Sequence, residues 1–124
     1  MTNNQIKNPK HYDLEERTLE FGKRILRLAH FLPKDLVNIR LASQFIRSGT
    51  SIGANYREAN ETETKKDFRN KIRTCRKEAK ETHYWLQLVI EANPSLEKRI
   101  QPLLAESVEL VKIFATIMDK AKEF

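Results

Sequence analysis

A chain of 124 residues, 40% apolar and 32% charged, suits one domain with a modest core, and a helical chain of this size often gains stability by associating with copies of itself. Three glycines and four prolines are too few turn-formers for an all-β architecture and point to a few long helices. A formal net charge of +6, with an isoelectric point near 9.5, favours nucleic acid or another polyanion as partner.

Residues 1–12 (MTNNQIKNPKHY) read as a polar tail without the apolar region of a signal peptide, followed by one bundle domain over residues 13–124. Asp13 is a plausible N-cap, with Glu15 and Glu16 in the first turn of the helix it opens. The stripe Leu14, Thr18, Phe21, Ile25, Leu28, Leu32 then runs to Pro33, which cannot continue the hydrogen-bond ladder.

The second helix begins at about Lys34 or Asp35. Ile39, Ala42, Ile46, Gly49, Gly53, Tyr56 and Asn60 step along one face, and Leu41, Phe45, Ile52 and Ala59 form a second apolar row beside it. An arc this wide predicts burial on two sides, the bundle interior and another subunit. The run Ser48 to Gly53 has low helix propensity, but the apolar steps keep phase through it, so a continuous helix is expected. Gly49 and Gly53, one turn apart, then permit close helix approach.

Residues 60–64 carry no apolar side chain and form the next corner, with Thr64 or Thr62 as cap. The third helix runs to about Ala92, a length of roughly 42 Å at ~1.5 Å per residue. Its apolar face is Phe68, Ile72, Cys75, Ala79, Thr82, Leu86 and Val89. Cys75 falls on that face and reads as a small buried hydrophobe rather than a reactive thiol, and a lone cysteine excludes an intrachain disulfide. Asn93-Pro94-Ser95 closes the helix. The last stripe is Leu96, Ile100, Leu103, Ser107, Leu110, Phe114, Ile117 and Ala121. Pro102 interrupts it, marking either the start of the main helix or a kink within one helix. Four amphipathic segments with short corners describe an all-α, antiparallel, up-down-up-down four-helix bundle.

Residues 65–80 hold eight basic side chains against Asp67 and Glu78, a surplus of +6. At ~100° per residue, Lys65, Arg69, Arg73, Arg76 and Lys80 gather beside the apolar stripe, and Lys66 and Lys77 widen the patch. Arginine offers a planar fork to phosphate, and neutralised phosphates release counterions, so a strongly salt-dependent nucleic-acid contact is predicted. Double-stranded RNA exposes few readable base edges, so such contacts favour shape over sequence. The plain alternative is a solvated face laced with intrahelical pairs such as Lys77 with Glu81. Trp85 lies near the edge of the stripe, where packing or a subunit interface outweighs base stacking by the His83-Tyr84-Trp85 cluster.

Catalytic signatures are absent from the sequence. There is no H-E-x-x-H, no phosphate-cradling glycine loop, and no glutamate three residues before His11, His30 or His83 as a di-iron bundle needs. No enzyme activity, metal or cofactor is expected. No apolar stretch approaches the ~18 residues of a membrane span, and a cytoplasmic protein is expected.

Two stretches carry a resemblance. RSGTSIGANYREA (Arg47 to Ala59) and DFRNKIRTCRKEAKETHYWLQL (Asp67 to Leu88), with the closing pattern Pro102-Leu103-Leu104 and Glu109-Leu110-Val111-Lys112, resemble the bacterial four-helix bundle family of 23S rRNA intervening-sequence proteins. Within them, Ser51-Ile52-Gly53-Ala54-Asn55-Tyr56-Arg57-Glu58 is similar to the family's S-I-x-A-N-x-x-E pattern. The resemblance implies a subunit assembled as a ring-like homopentamer. It also implies similarity to the accessory protein of diversity-generating retroelements, a basic pentameric barrel linked to nucleic acid and a reverse transcriptase. The resulting expectation is a non-enzymatic oligomer that binds nucleic acid, RNA rather than DNA, through Lys65, Lys66, Arg69, Arg73, Arg76, Lys77 and Lys80. Copies would meet through Leu41, Phe45, Ile52 and Trp85. The rival expectation is a protein-interaction scaffold or adaptor ring, for example for a reverse transcriptase or a ribosome-associated partner.

Overall fold

Asp13 opens the first helix, as its side chain accepts a long hydrogen bond from the Glu16 amide, 3.4 Å. The computed structural model describes residues 13–122, and the tail expected over residues 1–12 lies outside them. Helix α1 is Leu14–Phe31, α2 is Leu36–Ala59, α3 is Lys65–Ala92 and α4 is Glu97–Lys122. Asp35 caps α2 through the Asn38 amide at 2.8 Å, and Thr64 caps α3 through the Asp67 amide at 3.0 Å. At the end of α1, Lys34 Nζ donates to the His30 and Leu32 carbonyls at 2.9 and 3.0 Å, covering acceptors that the helix terminus leaves open. A short 3-10 turn, Pro94–Leu96, links α3 to α4.

Pairings across the seams fix the helix directions. Along α2 and α3, Glu58 meets Lys71, the Ile52 carbonyl meets Cys75, Ser48 meets Thr82 and Arg47 meets Glu81. Numbers fall on one helix as they rise on the other, so the two are antiparallel. Gly53 lies against Thr18 and Gly49 against Ile25, which sets α1 antiparallel to α2. Arg17 pairs with Glu106 and Arg99 covers the Phe31 ring, which sets α1 antiparallel to α4. With α3 and α4 packed together across their short turn, the fold is an up-down-up-down four-helix bundle.

The core draws on every helix: Phe21 and Ile25 from α1, Phe45 and Ile52 from α2, Ile72 and Leu86 from α3, Leu110 and Phe114 from α4. Each such side chain contributes about 1.5–3 kcal/mol on burial. The stripes expected on α1, α3 and α4 are the buried ones. On α2 both rows are used within the chain: Phe45, Ile52 and Ala59 are buried with Asn38; Gly49 and Gly53 of the other row are buried against α1; and Ile39 at its start is 53% exposed.

The run Ser48 to Gly53 is continuous helix, and its glycines set the spacing of α1 and α2. A Cβ on Gly49 would come within 2.7 Å of Ile25 Cγ1, and one on Gly53 within 3.0 Å of Thr18 Oγ1. Pro102 sits inside α4 on its exposed side, so a single helix passes through it.

Four buried polar side chains are matched in two pairs across the α2/α3 seam. The Asn38 and Asn93 amides exchange hydrogen bonds of 3.0 and 2.8 Å, tying the start of α2 to the end of α3. The Ser48 and Thr82 hydroxyls meet at 2.8 Å in the middle of the same seam.

Candidate nucleic-acid interface

Helix α3 buries Ile72, Cys75, Ala79, Thr82, Leu86 and Val89, which leaves a flank on each side of that stripe. Residues 71 and 78 lie on the flank beside α2, while residues 69 and 76, across the stripe at ~100° per residue, lie on the flank beside α4.

The α2-side flank is charge-matched. Lys71 Nζ lies 2.5 Å from Glu58 Oε1. Arg47 of α2 reaches over to pair with Glu81 and, at 3.6 Å, with Glu78. Trp85 Nε1 donates to the same Glu81 carboxylate at 3.1 Å. The hydrogen bond from Trp85, with the Arg47 guanidinium beside it, holds the Glu81 carboxyl below the usual carboxylate range. Lys77 makes no salt bridge with Glu81 and acts on that carboxyl only as a more distant charge, while Arg47 and Trp85 both bind its Oε2.

The α4-side flank has cations without matching anions. Among the described residues, Lys66, Arg69, Arg73, Arg76, Lys77 and Lys80 take part in no salt bridge. Lys65, Lys66, Arg73, Lys77 and Lys80 are exposed, while Arg69 and Arg76 are half-buried. The Nε atoms of Arg69 and Arg76 are enclosed and lack a hydrogen-bond partner. Arg73 Nη1 donates to the Asn70 side chain at 2.8 Å, one turn back on α3. At ~100° per residue Lys65, Arg69, Arg73, Arg76 and Lys80 fall on this flank, while Lys66 and Lys77 fall on the outward side of α3, away from the buried stripe.

The expected subunit contacts divide differently. Phe45 and Ile52 are 0% exposed within the single chain, so they offer no area to another copy, and this part of the expectation is corrected. Leu41 and Trp85 are half-buried against the core. Tyr84 stays exposed and meets the Trp85 ring edge-on at 5.1 Å. The exposed large apolar side chains are instead Leu19 (45%) and Leu26 (44%) on α1, Phe31, Leu36, Val37 and Ile39 around the α1/α2 corner, and Tyr84 on α3; at ~100° per residue Leu19, Leu26 and Ile39 fall on the outer α1/α2 side. Gly22 stands on the same flank of α1, against Thr50 of α2.

Cys75 is fully buried, with Sγ 3.6 Å from the Ile52 carbonyl, and burial pushes its thiol up to about 12. Within the S-I-x-A-N-x-x-E segment, Asn55 bonds back to the Ser51 carbonyl at 2.9 Å and Glu58 crosses to Lys71. Both roles are structural. Among the described residues no three His, Cys, Asp or Glu side chains converge as a metal-binding group, and no helix is long and apolar enough to cross a membrane.

Sequence reasoning missed Arg47. Its partners are 34 residues away or nearly so, and only the antiparallel register joins them. It also missed Arg24, Arg27 and Arg99, which come together across the α1/α4 seam.

A solved structure similar to this bundle is that of a protein with unknown function from the S23 ribosomal protein family of Bacteroides thetaiotaomicron VPI-5482. It is 37% identical, with a TM-score of 0.79, and the match covers 86% of this chain and 98% of that one. No functionally curated protein matches the chain. Residues 10–116 match the family described as 23S rRNA-intervening sequence protein. A match over this share of the chain, on a bundle that aligns with a solved relative along nearly all of that relative's length, places the chain in the 23S rRNA-intervening sequence protein family.

Proposed function

We propose that this bundle is a non-enzymatic, cytoplasmic oligomer that binds structured RNA, or other nucleic acid, through the α4-side flank of α3. One observation carries the reading: on the α2 side of that helix Lys71 and the carboxylates of Glu78 and Glu81 are paired across the seam, whereas Lys66, Arg69, Arg73, Arg76, Lys77 and Lys80 make no salt bridge among the described residues. Arginines with half-buried stems lose less side-chain freedom when a phosphate arrives, which favours binding over mere solvation. The ribosomal wording in the names of the family and of its solved relative fits an RNA partner.

Self-association as a ring-like homopentamer completes the proposal, since a ring repeats the basic flank and turns weak contacts into avidity. The outer α1/α2 seam, with Leu19, Leu26 and Ile39 exposed, replaces Phe45 and Ile52 as the surface where copies meet. The same seam supports a second reading, an adaptor ring whose ligand is another protein.

The test is binding of the purified chain to a labelled structured RNA and a matched DNA duplex across a salt series, with molar mass in solution measured alongside. Tight binding with a steep log–log salt slope, lost on Arg69→Glu with Arg73→Glu, is the expected result. An intact oligomer that binds neither nucleic acid at low salt would remove this reading and leave the adaptor reading in front.

A further inference from the structure

The seam between α1 and α4 holds a second set of arginines, away from α3. Arg24 and Arg27 stand one turn apart on α1, and Arg99 stands in the first turn of α4. The antiparallel register brings them to one cavity of about 130 Å³, lined by Arg24, Arg27, Leu28, Arg99, Ile100 and Leu103. Leu28, Ile100 and Leu103 are buried and give it an apolar floor. Beside such a floor a charge–charge contact is screened less than in open water.

Among the described residues no carboxylate lines this cavity. Arg27 reaches out to Glu20 at 3.1 Å, an exposed pair of the kind worth little, which a better anion displaces. Arg99 rests its guanidinium 3.7 Å above the Phe31 ring, and that ring is itself partly exposed. Arg24 has no ion-pair or hydrogen-bond partner among the described residues. The neighbouring cavity of the same seam is the reverse case: Asp13, Glu16, Glu20 and Glu106 line it together with Arg17 and Arg24. Positive charge is therefore concentrated at one end of the seam, and Arg24 is the wall between the two ends.

We infer that the Arg24/Arg27/Arg99 cavity binds a phosphoryl group. Guanidinium forks match the tetrahedral oxygens of phosphate, and three of them suit a multiply charged anion better than a single carboxylate. Size narrows the ligand. About 130 Å³ is below the ~300–1,000 Å³ of sites that enclose a drug-sized molecule, so the cavity takes a phosphate or pyrophosphate end, not a whole nucleotide. That end belongs either to a nucleic acid or to a free phosphorylated anion. The inference does not rest on the α3 flank.

The experiment is isothermal titration of the full chain with sodium phosphate and sodium pyrophosphate, at constant ionic strength against chloride. A parallel arm compares short RNAs bearing a 5′-phosphate or a 5′-hydroxyl. Pyrophosphate is expected to bind, and Arg24→Gln with Arg99→Gln is expected to weaken it at least tenfold while Arg69→Glu with Arg73→Glu leaves it unchanged. Arg27→Gln, at an exposed position, is the second variant should the double one fail to fold, and it is expected to weaken binding severalfold. A 5′-phosphate preference that vanishes in the Arg24/Arg99 variant assigns the group to an RNA end, whereas pyrophosphate binding without that preference assigns a free anion. Heats no different from chloride with no 5′-phosphate preference, or affinity unchanged in the folded variants, overturn the inference. RNA binding lost only in the Arg69/Arg73 variant, without pyrophosphate binding, sinks this site and leaves the α3 reading standing.

Discussion

The two flanks of α3 differ in what they carry and in how it is partnered: one mixes a cation with two carboxylates, the other is basic throughout. Toward α2, Lys71, Glu78 and Glu81 are joined across the seam to Glu58 and Arg47, and Trp85 closes the set. Toward α4, Arg69, Arg73 and Arg76 stand in a row and make no salt bridge among the described residues. A cation matched in the folded chain contributes to register and stability. One left unmatched repels its neighbours and contributes mainly when an outside anion arrives. The difference separates residues that hold this bundle from residues that await a ligand, and each prediction below tests that separation.

The largest effect is on binding. Arg69→Glu with Arg73→Glu should weaken RNA affinity by about a hundredfold near 100 mM salt and lower the log–log salt slope by about two, read by fluorescence anisotropy. Lys71→Glu reverses one charge on the other flank, the same change of two units as Arg69→Glu alone. It should shift affinity by less than about threefold yet lower the melting temperature, because Glu58 then faces a like charge. An equal loss of binding in Lys71→Glu would mean that bulk charge, not the flank, attracts RNA.

Stability should respond in the opposite sense. Gly49→Ala sets a Cβ against the fully buried Ile25, which has little room to move, so overpacking should cost about 1–3 kcal/mol in denaturant unfolding. RNA affinity of the folded fraction should stay unchanged. Arg47→Ala comes next, at about 1 kcal/mol, because it leaves Glu78 and Glu81 side by side without their shared cation. Arg73→Ala, exposed on the other flank, should change stability by less than about 0.5 kcal/mol. A larger cost for Arg73 than for Arg47 would reverse the assignment of the flanks.

The contrast also marks what the sequence could express. The row of arginines was legible because helical geometry alone places residues 69, 73 and 76 together. The stripes of α1, α3 and α4 were legible because each has one dominant apolar row. Helix α2 has two, both used within the chain, and periodicity does not rank them; Asn38, buried through its amide exchange with Asn93, disguises the row Asn38, Phe45, Ile52, Ala59 as partly polar. The pairing of Arg47 with Glu81 was illegible for a different reason. An intrahelical Lys77–Glu81 contact is local and can be guessed, while the contact that prevails spans 34 residues and exists only once two helices are in register. The α1/α4 arginine cavity escaped for the same reason.

The smallest effect, and the finest test of the matched flank, is a pH dependence. Trp85 and Arg47 lower the pKa of Glu81 in the folded chain below its ordinary value of 4.5. The unfolded chain therefore takes up a proton at this position at a higher pH than the folded chain does, and stability falls as acid is added. The contribution is fully present above the ordinary carboxylate value and is lost as pH falls through the lower folded value. Glu81→Gln should flatten that part of the unfolding free energy as pH falls below the ordinary carboxylate range, relative to the parent chain, and leave the curve above about pH 6 parallel to it. Indistinguishable acid limbs for the parent and Glu81→Gln would mean that Arg47 and Trp85 do not hold this carboxylate in solution, and the flank facing α2 would then be no better matched than the flank facing α4.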